Sequence, residues 1–387
     1  MANWIVGSLR QLRIEEANIA GRERINILKN AEGVTLNDQF EIWISGKRNL
    51  RENTLHDYRY MYDAYVRNSL GKKYIDEICT YDIKCHYMSL SVSQRLSAET
   101  ISHIQNIVFQ VFQSAKECNI LVDNPADRAA KDFVRRHSKH VITVSSMGME
   151  QASAFLEFLR DSDEYYKWYP LFYVMTYTGL RLGEVTALQW CDINLDKGYL
   201  EVKNSVSYVA RGRGKAAYVI NPPKTEAGKR IIPLSPMVIE AFRMEKQYQS
   251  EAGICCMTEI NGHSDFVFLN RFGNIYNQSA VNRALKRAVG AYNGKPKKNE
   301  KGEEILIPVI SSHSLRHTFA CILCENNVNI KAMQVLLGHS DIQTTIMIYT
   351  KVSQDFINNE FKKISHIMVY KTYLKNKNVK HVVNDTI

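Results

Sequence analysis

Ser311-Ser312-His313-Ser314-Leu315-Arg316-His317-Thr318-Phe319-Ala320-Cys321-Ile322 is the stretch on which the reading of this chain turns. Its serines suit a helix start, and Leu315, Phe319 and Ile322 recur at i, i+4 and i+7 as a core stripe. His313 and Arg316 then fall together on the opposite face, near a helix N-terminus whose free N–H groups favour an anion. A guanidinium offers planar, permanently charged donors matched to phosphate. A surface histidine beside an arginine is also common on ordinary solvated helices, so the pair alone leaves both readings open.

Downstream, Ile330, Met333 and Leu337 mark another helix, and Gly338 suits a left-handed end to it, which fixes His339 just past a helix terminus. Ser340 and Asp341 suit the cap of a further helix, on which Ile342, Ile346 and Tyr349 share a face. Taken alone, Tyr349 reads as one more amphipathic core tyrosine, since the chain has 21 tyrosines. Upstream lies Tyr177-Thr178-Gly179-Leu180-Arg181-Leu182-Gly183-Glu184, behind an apolar run over 170–176. Gly179 breaks one helix, Arg181 opens the next, and Glu184 sits in its first turn, where a carboxylate suits the helix dipole. Such an arginine either reaches a ligand while the acid orients it, or forms an ordinary surface pair with Glu184.

The 387 residues suggest two or three domains. Residues 1–33 form a polar approach segment. Leu36, Phe40 and Trp43, then Leu55, Tyr58, Tyr62 and Tyr65, then Ile101, Ile104, Val108, Val111 and Ala115 predict three amphipathic helices in a bundle over 34–126. Asp123-Asn124-Pro125 closes it. Arg128, Lys131, Arg135, Arg136, Lys139 and His140 crowd the stretch 127–148, read as a basic linker, and composition alone does not separate a phosphate-crossing linker from a solvated connection. Extended runs over 199–208, 217–221 and 229–234 predict one small antiparallel sheet in a domain over 149–360, followed by a tail over 361–387. Residues 210–230 carry Arg211, Arg213, Lys215, Lys224, Lys229 and Arg230 against Glu226 alone, a hairpin suited to lie against a polyanion. Residues 293–304 read as an exposed polar loop.

A net charge of +10 favours a polyanionic partner without deciding one. Eight cysteines without framework spacing argue for reduced thiols in a cytoplasm, and Cys321 and Cys324, a lone CxxC short of the four ligands of a closed zinc site, are read as helix packing. No metal is expected. No run approaches the length of a membrane span.

Together, Thr178-Gly-Leu-Arg-Leu-Gly-Glu184, Lys224, His313-x-x-Arg316-His317, Leu336-Leu-Gly-His339 and Tyr349 resemble the motif set of the tyrosine recombinase (phage integrase) family, in particular integrases of conjugative transposons and prophages. The resemblance implies a mainly α fold with a small antiparallel sheet: a helical core-binding domain, then an α+β catalytic domain. It implies site-specific cleavage and rejoining of DNA, with Tyr349 as nucleophile forming a 3′-phosphotyrosyl link, Arg181 and Arg316 on the non-bridging oxygens and Lys224 as proton donor to the 5′-oxygen. His313 would act as base or orienter, and His339 would bond the phosphate. It implies no cofactor, because the covalent link conserves the phosphodiester's energy, and the sequence has no GxxxxGK[ST] loop. The partners implied are double-stranded attachment sites, three further copies in a tetramer, and a directionality factor. Arg135, Arg136, Arg211, Arg213 and Lys215 are the candidate backbone contacts. The small arm-binding sheet with which that subgroup often begins has no counterpart in the pattern of residues 1–33. A tail shared between neighbours and a tail folded on its own domain are both compatible with the sequence. Two other readings compete: a monomeric type IB topoisomerase, and a DNA-binding protein that has lost cleavage.

Overall fold

The structure, a computed structural model, describes residues 33–48, 50–131, 133, 146–211, 215–223 and 225–349; for 209–211, 215, 216, 344 and 347–349 it describes the backbone alone. The chain divides into two compact units, Met1–Ile142 and Thr143–Ile387.

In the first unit α1 (Leu36–Ser45) starts at a reciprocal cap: Thr35 Oγ1 accepts from Asp38 N–H at 3.2 Å, and the Asp38 carboxylate accepts from Thr35 N–H at 3.0 Å. Its Leu36, Phe40, Trp43 and Ile44 are buried, with Phe40 stacked on Tyr62 of α2 (Glu52–Tyr65) at 3.7 Å between ring centroids. The helix α4 (Ala98–Glu117), capped by Ser97, buries the five predicted residues. Between them runs α3 (Thr80–Ser93), which the periodic reading does not supply. Its apolar side chains point all round: Ile83, Tyr87 and Leu90 are buried while Tyr81, Met88 and Val92 are exposed, so no single stripe marks a face. The core runs on through Ala126, Ala129 and Ala130, into the stretch read as linker.

The second unit is built around α6 (Tyr169–Thr178), where Tyr169, Pro170, Leu171, Phe172, Val174, Met175, Thr176 and Thr178 are all buried. A helix apolar on every side belongs at a centre, and α5 (Met149–Asp161), α8 (Pro236–Glu251) and α10 (Ser312–Glu325) pack on it. The threonine hydroxyls stay satisfied inside the core by donating to carbonyls four residues back, Thr176 to Phe172 at 2.7 Å and Thr178 to Val174 at 2.6 Å.

The single sheet expected from sequence is two. Antiparallel β1 (Ile193–Asn194), β2 (Tyr199–Val202) and β5 (Arg230–Pro233) lie in that order, with Leu200 opposite Ile232; β3 (Ser205–Arg211) and β4 (Lys215–Asn221) form a separate ribbon from Ser205↔Asn221 to Arg211↔Lys215. The extended run over 199–208 therefore breaks at Lys203-Asn204. Leu200 and Val202 face the main core, whereas Val206, Tyr218 and Ile220 pack on a satellite cluster of Ile260, Phe266, Leu269 and Ile275. Periodicity reads alternation and cannot tell which core a strand faces. The helix α9 (Gln278–Gly294) and the short α7 (Leu182–Val185), α11 (Ile330–Leu337) and α12 (Ile342–Tyr349) complete the unit. Cys324 is buried and Cys321 half-buried on α10. No helix among the described residues is long and apolar enough to cross a membrane.

Candidate active site

Two helix C-termini converge here, each ended by a left-handed glycine. Gly179 (φ 63°) closes α6 and Gly338 (φ 63°) closes α11. Terminal carbonyls lack helical partners and carry the negative end of the helix dipole. Arg316, on α10, meets both: its Nη1 donates to Gly179 O at 2.7 Å and its Nη2 to Leu337 O. Gly179 has no room for a side chain, since a Cβ would lie 2.4 Å from the Phe319 ring.

Arg181 caps α7. Its backbone N–H donates to Glu184 Oε2 at 2.9 Å, its Nη1 to Glu184 Oε1 at 2.8 Å and its Nη2 to Gly338 O at 3.5 Å. The two motif arginines are thus tied to adjacent carbonyls, Leu337 and Gly338. Arg181 does pair with Glu184, but the carboxylate is only 3% exposed; burial alone would raise its pKa, but Arg230 and then Arg181 hold it below the usual carboxylate range. Arg230 of β5 is the residue missed at the sequence level. It was counted with the basic hairpin, yet its side chain is 2% exposed and its Nη2 donates to Glu184 Oε2 at 2.9 Å. Strand alternation carried the signal, because Arg230 shares the inward face of its strand with buried Ile232.

His339 follows Gly338. Its Nδ1 lies 2.9 Å from the hydroxyl of Thr345, a fully buried residue of α12, and burial first, then Arg316, Arg181 and Arg230, push its pKa down to about 4. His313, in the first turn of α10, has its ring 4.6 Å from that of His317, edge to face. Partial enclosure of its ring, then Arg316 and Arg181, lower its pKa too. Both imidazoles are therefore neutral at neutral pH and can accept a proton or hydrogen bond. Arg316, 3% exposed, is pushed down to about 9 by burial, with Arg181 and Arg230 adding to the effect, and still carries its charge at neutral pH. Three guanidinium groups against one carboxylate leave a net positive site with donors unspent, suited to a doubly ligated phosphate oxyanion.

The structure brings Arg181, His313, Arg316 and His339 together. Tyr349 closes α12, which packs on α10 and α11; its backbone alone is described. Arg211 and Lys215 end the β3–β4 ribbon as a paired rung, also as backbone alone. Lys224, Arg213, Arg135 and Arg136 lie outside the described residues, as do the approach segment, most of the basic linker and the tail. Of the loop expected over 293–304, the first two residues end α9 and the rest is mostly exposed, turning on Asn299 with a backbone β-bridge between Lys298 and Glu304. Among the described residues no group of three or more His, Cys, Asp or Glu side chains is placed to hold a metal.

The arginine and histidine cluster lies in the second unit, within the stretch matched by a model of tyrosine-type DNA strand transferases. The chain belongs to the phage integrase family, whose model matches residues 146–355, more than half of its length. Among its relatives, the transposase from transposon Tn916 of Enterococcus faecalis is 28% identical over 316 residues, spanning 82% of this chain and 74% of that one. A XerC-like tyrosine recombinase of Caldanaerobacter subterraneus is 26% identical over 375 residues, spanning 92% and 90%. The fold matches the Tn1549 transposon integrase solved with transposon right end DNA, with a TM-score of 0.73 at 24% identity over 86% of this chain and all of that one. It also matches a lambda integrase tetramer solved on a Holliday junction, at 0.57 and 17% identity over 84% and 81%. The protein is a site-specific DNA recombinase of this family.

Proposed function

We propose that six residues carry the strand transfer: Arg181, Lys224, His313, Arg316, His339 and Tyr349. Arg181 and Arg316 hold the two non-bridging oxygens of the scissile phosphate, where charge develops in the transition state. Tyr349 attacks the phosphorus, His313 accepts or orients the phenolic proton, and the 5′-oxygen leaves with a proton from Lys224. The products are a 3′-phosphotyrosyl enzyme and a free 5′-hydroxyl. His339, neutral and held through Thr345, hydrogen-bonds the phosphate.

The observation that carries this reading is the convergence of Arg316 and Arg181 on the carbonyls that end α6 and α11, with His339 one residue further and Tyr349 on the next helix. The substrate is a duplex attachment site of a mobile element, contacted through its backbone by Arg135, Arg136, Arg211, Arg213 and Lys215, so binding weakens steeply with salt. Four copies act on two sites, a directionality factor biases integration or excision, and the work is done in the bacterial cytoplasm at the nucleoid.

The test is a nicked suicide duplex built on sequences flanking the gene. Wild-type protein forms a covalent adduct that Tyr349→Phe does not form, while the variant still shifts the duplex in a gel. An adduct persisting in Tyr349→Phe overturns the assignment, and relaxation of plasmids lacking the site points to a topoisomerase instead.

A further inference from the structure

Arg230 is a buried charge that none of those six roles uses. Its Nε donates to Leu336 O at 2.8 Å, its Nη1 to Gly228 O at 3.0 Å and to Glu184 Oε1 at 3.3 Å, and its Nη2 to Glu184 Oε2 at 2.9 Å. A guanidinium has five N–H donors in a rigid fork, and these contacts occupy all but one. It therefore has little capacity left for a phosphate. Each contact leads to a different catalytic element. Glu184 holds Arg181, Leu336 lies three residues before His339, and Gly228 lies in the β4–β5 connection that contains Lys224. The fit is close: a Cβ on Gly338 would sit 2.9 Å from Arg230 Nη1.

We infer that Arg230 is a positioning residue, a buried fork that sets the relative placement of Arg181, His339 and the lysine-bearing connection for strand cleavage. The inference rests on the catalytic reading above. It predicts an effect on rate with little effect on DNA affinity, because misplacement of a reacting group by about 1 Å can cost about 10²-fold. It also predicts a pH signature. The charged groups facing Glu184 are Arg181 on its own helix cap, Arg230 from β5 and Arg316 from α10, while β3 brings Ser205 and Val206 against α7 at Gly183. Without Arg230, burial raises the Glu184 pKa and favours its neutral form, which holds Arg181 less firmly.

Single-turnover adduct formation on a suicide duplex that the wild type cleaves tests this, with Arg230→Met, Arg230→Lys and the double variant Glu184→Gln/Arg230→Met. Arg230→Met is expected to bind the duplex as wild type does and to cleave about 10²-fold more slowly at neutral pH. Its rate should rise with pH through a limb absent from wild type and from the double variant, and Arg230→Lys should recover part of the rate. Wild-type cleavage by Arg230→Met overturns the inference. So does a loss that only tracks a lower thermal midpoint and weaker DNA binding, with an unchanged pH profile and no recovery in Arg230→Lys. If Arg181→Ala cleaves like wild type, the catalytic reading itself falls, a result distinct from either outcome at Arg230.

Discussion

Among the described residues of the second unit, Glu184 and Glu245 are buried to the same 3% exposure, and they have opposite fates. Glu184 faces Arg181 and Arg230 and is held ionised. Glu245, on α8, accepts a hydrogen bond from the Gln249 amide at 2.7 Å, and burial pushes its pKa up to about 8. Burial penalises both charged forms equally, so the partner decides. One keeps its charge because two guanidinium groups face it; the other is a neutral acid packed in a core.

The largest expected break of this comparison is Glu184→Gln. Removing one partner of a buried ion pair leaves Arg230 uncompensated and should destabilise the second unit by about 3–5 kcal/mol, read from denaturant unfolding. The matching Glu245→Gln replaces a neutral acid by a neutral amide and should cost about 1 kcal/mol or less at pH 6; an equal loss at both positions would show that burial, not partnering, governs them.

The pH dependence of stability sharpens the contrast. Glu245 has a folded pKa of about 8 against 4.5 when unconstrained. The folded state then holds a proton that the unfolded state has released. Its contribution is complete below pH 4.5 and is lost as pH rises towards 8, with a slope of at most about 1.4 kcal/mol per pH unit. Glu184, with a lowered folded pKa, contributes above 4.5 and loses that contribution as pH falls. Unfolding midpoints measured across pH should lose the decline between pH 4.5 and 8 in Glu245→Gln, and the decline below pH 4.5 in a folded Glu184 variant.

The smallest effect concerns the neutral imidazole. His339, with its pKa pushed to about 4, should show no NMR titration near 6.5, and Thr345→Val should slow adduct formation by no more than about tenfold, the equivalent of one hydrogen bond. A His339 that titrates near 6.5 would mean that the site is more solvated than its neighbours imply.

Much of this was legible in the chain. Core stripes such as Leu315, Phe319 and Ile322, the helix-ending Gly179 and Gly338, and the ordered motifs around Arg181, Arg316 and His339 each follow from local periodicity or turn chemistry. The helix α3 was not, because its apolar residues mark no single face, and neither was the division of the strands between two sheets, because alternation continues across Lys203-Asn204 while the cores it faces change.

The sequence by itself determined the helix ends, the residue types available for phosphate chemistry and the family to which they belong. Only the tertiary structure decided that Arg230 is an internal fork rather than a surface cation, that Glu184 is buried and charged, and that Arg316 spends two donors on the carbonyls of Gly179 and Leu337. The reason is physical: a side chain's charge state and spare donors depend on neighbours brought in from over 20 to over 130 positions away, and local pattern carries no information about them.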